Sequence, residues 1–191
     1  MITAVALAVA GCSSGSVVNT DDTAATVQPS ATAPPSTPPP SNAHLVDAFD
    51  YVAHIDDAAR YYFTTPSGRW RCAIVPRVKA GCQATGSSGL GIDGVPDTVP
   101  DARGEPATPN AIVVDRDGDA YFASLEEPEF TPDPGPANTL QFNRILAAAG
   151  FRCNVQESSG VSCLSELTGR GFTFSTEGYT RQYTDVPADA P

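Results

Sequence analysis

Trp70-Arg71-Cys72-Ala73-Ile74, closed by Cys82, and Phe151-Arg152-Cys153-Asn154-Val155, closed by Cys163, are two versions of one pattern. In each, an aromatic residue and an arginine precede the first cysteine, and an aliphatic residue stands two places after it. The second cysteine follows ten positions on. Cysteines at that spacing can face each other across a β-hairpin. In that register Val155 lies opposite Val161, on the face of the Cys153–Cys163 pair, and Ile74 lies opposite Ala80. Directly opposed, non-hydrogen-bonded residues of an antiparallel pair are close enough for a disulfide. Two stapled hairpins, Cys72–Cys82 and Cys153–Cys163, follow. Zinc sites want closer cysteine spacing with histidines nearby, and His44 and His54 are the only histidines in the chain.

The fifth cysteine has a separate reading. Residues Ile2 to Ala10 are small and apolar, run into Gly11-Cys12, and give way at once to polar sequence. This looks like a bacterial lipobox, in which residues 1–12 form a lipoprotein signal ending at a lipidated Cys12. No Lys or Arg precedes the apolar run, so the positive n-region of an exported precursor is expected upstream of Met1. The run is too short to span a bilayer as a helix. Export would place the other four cysteines where disulfides persist. The expected location is the extracytoplasmic face of the cell membrane, reached through the lipid anchor.

The 191 residues carry a formal net charge of −11. Affinity for nucleic acid rests on Lys and Arg neutralising phosphates, so no nucleic-acid partner is expected. An anionic lipid surface would repel the chain too, which leaves the anchor as its route to the membrane. Residues 13–43 are rich in Ser, Thr, Ala and Pro, with Pro38-Pro39-Pro40, the composition of a disordered tether.

A domain is expected over 44–184. Leu45, Ala48, Phe49, Val52, Ile55 and Ala59 recur at helical spacing, with Asp47, Asp50, Asp56 and Asp57 on the other side, predicting an amphipathic helix. Tyr61-Tyr62-Phe63 and the Pro66-Ser67-Gly68 turn lead into the first hairpin. A long Gly/Pro/Asp-rich loop covers 86–109. Ala111–Val114 and Ala120–Ala123 then flank an Asp117-Gly118 turn, a strong hairpin signal. A Pro-rich loop covers 127–136. A second helix is predicted from Thr139 to Ala149, with Leu140, Ile145, Leu146 and Ala149 inward and Gly150 as its stop. A strand from Phe172 to Ser175 and a returning Tyr179 follow the second hairpin, and 185–191 reads as a frayed tail. The fold class predicted is α+β: a β-rich single domain with two stapled hairpins and two helices.

Little chemistry is visible. Asp115, Asp117, Asp119 and Glu126 occupy positions one, three, five and twelve of a calcium-loop pattern, but Ala120 stands where that loop needs glycine and the flanks read as strands. A solvated turn is expected there, with no metal and no cofactor. No Ser-x-x-Lys occurs, and no pair of carboxylates is singled out, so no enzyme class is assigned. The candidate binding residues are Gly169, Arg170 and Gly171, where two glycines allow close approach and an arginine could grip an anion. Trp70 joins them as a large aromatic beside the first hairpin.

At this point the residues carry a resemblance. Phe63-Thr64-Thr65-Pro66-Ser67-Gly68 with Cys72-Ala73-Ile74, then Gly150-Phe151-Arg152-Cys153, Gly160-Val161-Ser162-Cys163 and Thr168-Gly169-Arg170-Gly171-Phe172, resemble a pattern of secreted, mycobacterial-type actinobacterial lipoproteins of unknown function. The resemblance spans about residues 61–180. It implies a cell-surface lipoprotein with a disulfide-stapled β-rich domain, and no reaction. The chain departs from some relatives of that pattern, which carry a further cysteine pair in the middle region, where this chain has Ser124 after Tyr121-Phe122-Ala123. The function expected is that of a binding or protein-interaction module with an envelope protein as partner. The alternatives are a carrier of a lipid or small apolar ligand, and an envelope hydrolase. A pocket lined by Phe and Leu would favour the carrier, a flat exposed aromatic patch the interaction module, and two carboxylates facing across a cleft the hydrolase.

Overall fold

The computed structural model describes residues 42–55, 57–86, 89–132 and 135–191. Cys12, residues 13–41 of the tether and Asp56 lie outside them. Fourteen strands follow a short 3-10 turn, Ala48–Tyr51. Strands β1 (Val52–Ile55), β2 (Ala58–Thr64), β3 (Trp70–Val75), β4 (Lys79–Ala84), β7 (Ala111–Asp115) and β8 (Ala120–Ala123) form one antiparallel sheet in that order. The edge of β2 is shared: β1 pairs with its first half, and β9 (Asn138–Thr139) runs parallel to its end. Strands β10 (Arg144–Ala148), β11 (Phe151–Gln156), β12 (Gly160–Ser165), β13 (Gly171–Ser175) and β14 (Gly178–Thr180) form a second sheet in chain order. A small ribbon, β5 (Val99–Pro100) with β6 (Pro106–Ala107), sits in the long loop.

Both staples form as the spacing predicts. Cys72 pairs with Cys82 and Cys153 with Cys163, with Cα atoms 4.0 and 4.1 Å apart. Ile74 lies opposite Ala80, and Val155 opposite Val161. All four cysteines belong to one buried cluster that also holds Ile74, Ile112, Val114 and Phe122 from the first sheet and Leu146, Val155, Phe172 and Phe174 from the second. The stapled faces of the two sheets therefore pack against each other, and the sulfurs sit in the middle of the core.

The repetition goes further than the hairpins. Strands β2-β3-β4-β7-β8 and β10-β11-β12-β13-β14 are the same five-stranded meander in the same register. Phe63 faces Cys72 as Leu146 faces Cys153, and Cys82 faces Ile112 as Cys163 faces Phe172. The copies differ in their connections. The β2–β3 link is Thr65–Arg69, whereas β10–β11 turns on Ala149 and Gly150 alone, both at positive φ, as a two-residue hairpin turn requires.

The outer faces differ in chemistry. The first sheet presents Tyr62, Ala73, Gly81 and Val113 outward, and they are covered by Phe130 with Leu125 and Ala137. In the second sheet the positions matching Ala73, Gly81 and Val113 hold Asn154, Ser162 and Thr173, all buried. Asn154 and Thr173, with Gln156, meet the backbone of the end of the domain, and Ser162 shares a 2.8 Å hydrogen bond with the Thr173 hydroxyl. Asn154 Nδ2 donates to the Thr184 carbonyl at 2.9 Å, Gln156 Nε2 to the Thr184 and Asp185 carbonyls, and the Thr173 hydroxyl to the Gln182 carbonyl at 2.7 Å. Burying polar side chains is tolerable because each finds a partner. Val186 is 2% exposed, so the docked chain runs past residue 184, where the sequence placed the start of a frayed tail.

Both predicted helices are absent, and the α+β reading is corrected to a β-rich domain of antiparallel sheets. Among the described residues before β2 the only helical element is the 3-10 turn, where Asp47 Oδ1 accepts from Phe49 N. Phe49, expected inward, is 85% exposed. Beyond it β-branched Val52 and Ile55 suit a strand, and Asp57 at φ 62° carries the turn into β2. In the second region Asn143 at φ 59° interrupts the chain. Ile145 and Leu146 are both fully buried because β10 is covered on both faces. A strand covered on both sides loses its alternation and imitates a helix stripe. Gly150 stops no helix; it completes the hairpin turn. The long loop is not loose either: Leu90 and Ile92 enter the core.

Candidate functional site

The residues singled out in sequence do not assemble into a site. Trp70 is buried, donates from Nε1 to the Leu90 carbonyl at 3.0 Å, and meets Phe174 edge-on at 5.0 Å between ring centres. It ties the long loop to the core. At Gly171 a Cβ would lie 2.1 Å from the Cys163 carbonyl oxygen, so the glycine serves the close passage of β13 along β12. Gly169 has φ 69° and provides the turn. Arg170 is exposed and pairs with Asp119 at 3.3 Å, joining the turn after β12 to the turn after β7.

The calcium candidates are dispersed. Asp115, Asp117 and Asp119 follow the β7–β8 turn, while Glu126 lies beyond β8 and pairs with Arg103 at 3.4 Å. Among the described residues no three His, Cys, Asp or Glu side chains are grouped to hold a metal. Asp115 instead accepts from the Tyr121 hydroxyl at 3.3 Å. Burial, then the Asp115 charge, push the Tyr121 phenol up to about 12. The protonated phenol is thus the form the fold favours, and its contribution is complete below the ordinary tyrosine range and lost as pH rises from about 10 to about 12. Ultraviolet absorbance titration should show a late phenol that Tyr121→Phe removes; an unchanged titration curve would refute the assignment.

A different constellation appears on the outer face of the first sheet. Arg60 and Tyr62 alternate on β2 and so share that face. Opposite them runs the segment from Ser124 to Thr131, fixed at three points. Asn110 clamps Leu125 through paired bonds of 2.8 and 2.9 Å to its carbonyl and N–H. Phe130 is fully buried over Gly81. Lys79 holds Glu129 at 2.7 Å. Between strand and segment lies a cleft of about 600 Å3 lined by Arg60 and Tyr62, by Ile55, Leu125 and Pro128, and by Glu126, Glu127 and Glu129. Its volume lies within the usual range of small-molecule sites. Tyr62 is 2% exposed, yet its hydroxyl has no hydrogen-bond partner, and neither has the buried Nε of Arg60. Leaving such donors unpaired costs about 1–3 kcal/mol each, a cost that phenylalanine would avoid at position 62.

No protein-family model, curated protein or solved structure matches this chain. In sequence Tyr62 is one of the aromatics that lead into the first hairpin, and Arg60 does not stand out. The signal was available in part: Arg60-Tyr61-Tyr62 puts two polar groups on one face of a strand, and Glu126-Glu127-Pro128-Glu129 follows a strong hairpin. The topology that brings the two stretches together was not visible.

A second cleft, of about 220 Å3, lies between the Thr65–Arg69 turn and the β11–β12 and β13–β14 ends, with Trp70, Phe142, Val155 and Val161 in its lining. It is smaller than most small-molecule sites. The two disulfides suggest an extracytoplasmic protein.

Proposed function

We propose that this protein is an extracytoplasmic binding module, held at the membrane by lipid on Cys12, whose ligand seat is the Arg60–Tyr62 cleft. The observation that carries the reading is the pair of buried, unpartnered donors, Tyr62 OH and Arg60 Nε, at a cleft of ligand size. Preorganised donors held in a dry wall favour binding because they need not be stripped of water when a ligand arrives. The reading assigns no catalysis. Glu126, Glu127 and Glu129 come from one segment, so they do not face each other across the cleft as a hydrolytic pair would. The carrier reading has less support, since disulfides and aromatic rings occupy the space between the sheets. The lipoprotein pattern of the sequence supports the anchor.

Tyr62→Phe tests the seat by separating its two roles. Removing an unpaired buried hydroxyl should leave stability unchanged or raise it by up to about 1 kcal/mol in urea unfolding, whereas ligand binding should weaken. NMR of the labelled full chain against a panel of single amino acids, short peptides, monosaccharides and nucleotides should move resonances of Arg60, Tyr62, Leu125 and Glu127. Shifts confined to Trp70 and Phe142 would transfer the function to the smaller cleft and defeat the proposal.

A further inference from the structure

The charges around the cleft specify more than its position, if that seat is granted. Arg60 Nε can only donate, and a tyrosine hydroxyl beside a guanidinium is best used as a donor as well. The strand side of the cleft therefore calls for an acceptor, and the guanidinium favours one with negative charge. Two of the three carboxylates on the facing segment already hold cations: Glu126 with Arg103 at 3.4 Å and Glu129 with Lys79 at 2.7 Å. Glu127 makes no ion pair among the described residues and lines the same cleft. The strand side thus carries an uncompensated positive charge and the segment an uncompensated negative one, and the apolar side chains of Ile55, Leu125 and Pro128 share the lining.

We infer that the cleft binds a zwitterionic ligand of short-peptide size, its carboxylate taken by Arg60 Nε and Tyr62 OH and its ammonium group by Glu127. A single amino acid would leave much of a cleft of about 600 Å3 unfilled; a short peptide has the length to meet both charged groups and to cover apolar lining. Specificity comes from the buried donors. A ligand lacking the carboxylate leaves Tyr62 OH and Arg60 Nε unpaired, and sites built on hydrogen bonds reject such analogues strongly.

Tri-alanine, its N-acetyl derivative and its C-terminal amide, titrated into the labelled full chain by NMR, test this. Tri-alanine should shift Tyr62, Leu125 and Glu127, and the amide and the N-acetyl form should each bind about tenfold more weakly, the loss of one charged contact. Glu127→Gln should erase the difference between tri-alanine and its N-acetyl form while keeping the penalty for the amide. Tyr62→Phe should weaken tri-alanine binding without lowering stability. Equal binding of all three peptides would overturn the zwitterion assignment and keep the cleft as the seat. So would shifts at the same residues with a monosaccharide and none with tri-alanine. Tri-alanine shifts that arise elsewhere, or that survive Tyr62→Phe unchanged, would overturn both.

Discussion

Removing both disulfides is expected to leave the domain largely unfolded at about 37 °C. Each staple closes a loop with a sequence separation of 10. In the chain-entropy description each therefore contributes a little under about 3 kcal/mol, and the two together about 5 kcal/mol. That is comparable to the whole net stability of many domains, about 5–15 kcal/mol. Position adds to the effect. The four cysteines are fully buried in one cluster that holds the two sheets together. Serine in their place would add buried hydroxyls facing apolar neighbours, at about 1–3 kcal/mol each, so alanine is the cleaner replacement. The variant with alanine at 72, 82, 153 and 163 should lose its cooperative transition, or unfold at a much lower urea concentration. Either single-staple variant should keep a cooperative transition at a lower midpoint. A quadruple variant with an unchanged midpoint would show that packing of the sheets, without the covalent links, is enough.

The staples were legible in sequence for a physical reason. A hairpin is local, its register is set within a few residues, and cysteines at a hairpin-compatible spacing declare both partners. The Asp117-Gly118 hairpin was legible on the same ground. What failed was the distinction between a strand covered on both faces and a helix stripe. Ile145 and Leu146 are adjacent and both buried, which no one-sided strand would show. Only the facing elements explain it: Leu146 enters the disulfide core on one side, and Ile145 shares the other side with Asn154, where the backbone at Thr184 docks. The site was less legible still. Tyr62 reads as one more core aromatic until its hydroxyl is found without a partner, and Glu127 reads as a loop charge until the segment folds back over β2.

The duplication gives this asymmetry a meaning. Two copies of one meander share an inner face of disulfides and apolar side chains, and in that face they are interchangeable in chemistry. On their outer faces they have diverged. One copy uses Asn154, Gln156 and Thr173 to hold the backbone of 182–185 by hydrogen bonds, with Ser162 bonded to the Thr173 hydroxyl. The other uses Ala73, Gly81 and Val113 to seat a phenylalanine from the 124–137 segment. Polar positions in the second sheet close it against its own chain, while the small apolar positions in the first let an acidic segment lie over Arg60 and Tyr62. The meander is thus repeated, and the cleft is formed once, by the residues that occupy one outer surface.

Phe130→Ala should both destabilise the domain and abolish the cleft. The Phe130 side chain is fully buried, and truncating such a residue costs about 3–5 kcal/mol through lost transfer energy and residual cavity. The cost will be concentrated locally, because Phe130 is the one large apolar side chain through which the Glu126–Thr131 stretch enters the cluster with Tyr62 and Val113. Hydrogen exchange should therefore accelerate over 124–132 and at β1 and β2, while the β11–β12 amides keep their protection. Tri-alanine binding should fall to an undetectable level, since the wall bearing Glu127 is no longer held against β2. Gly81 provides the reciprocal test. A Cβ there would meet the Phe130 ring at 2.7 Å and the Ile112 carbonyl at 2.8 Å. Gly81→Ala should thus destabilise the native chain by displacing the ring, and cost less in the Phe130→Ala background, where only the Ile112 contact remains. Urea unfolding of the two single variants and the double variant gives the coupling directly. Additive costs would mean that the ring does not rest on Gly81, and the account of how the cleft is built would fall with it.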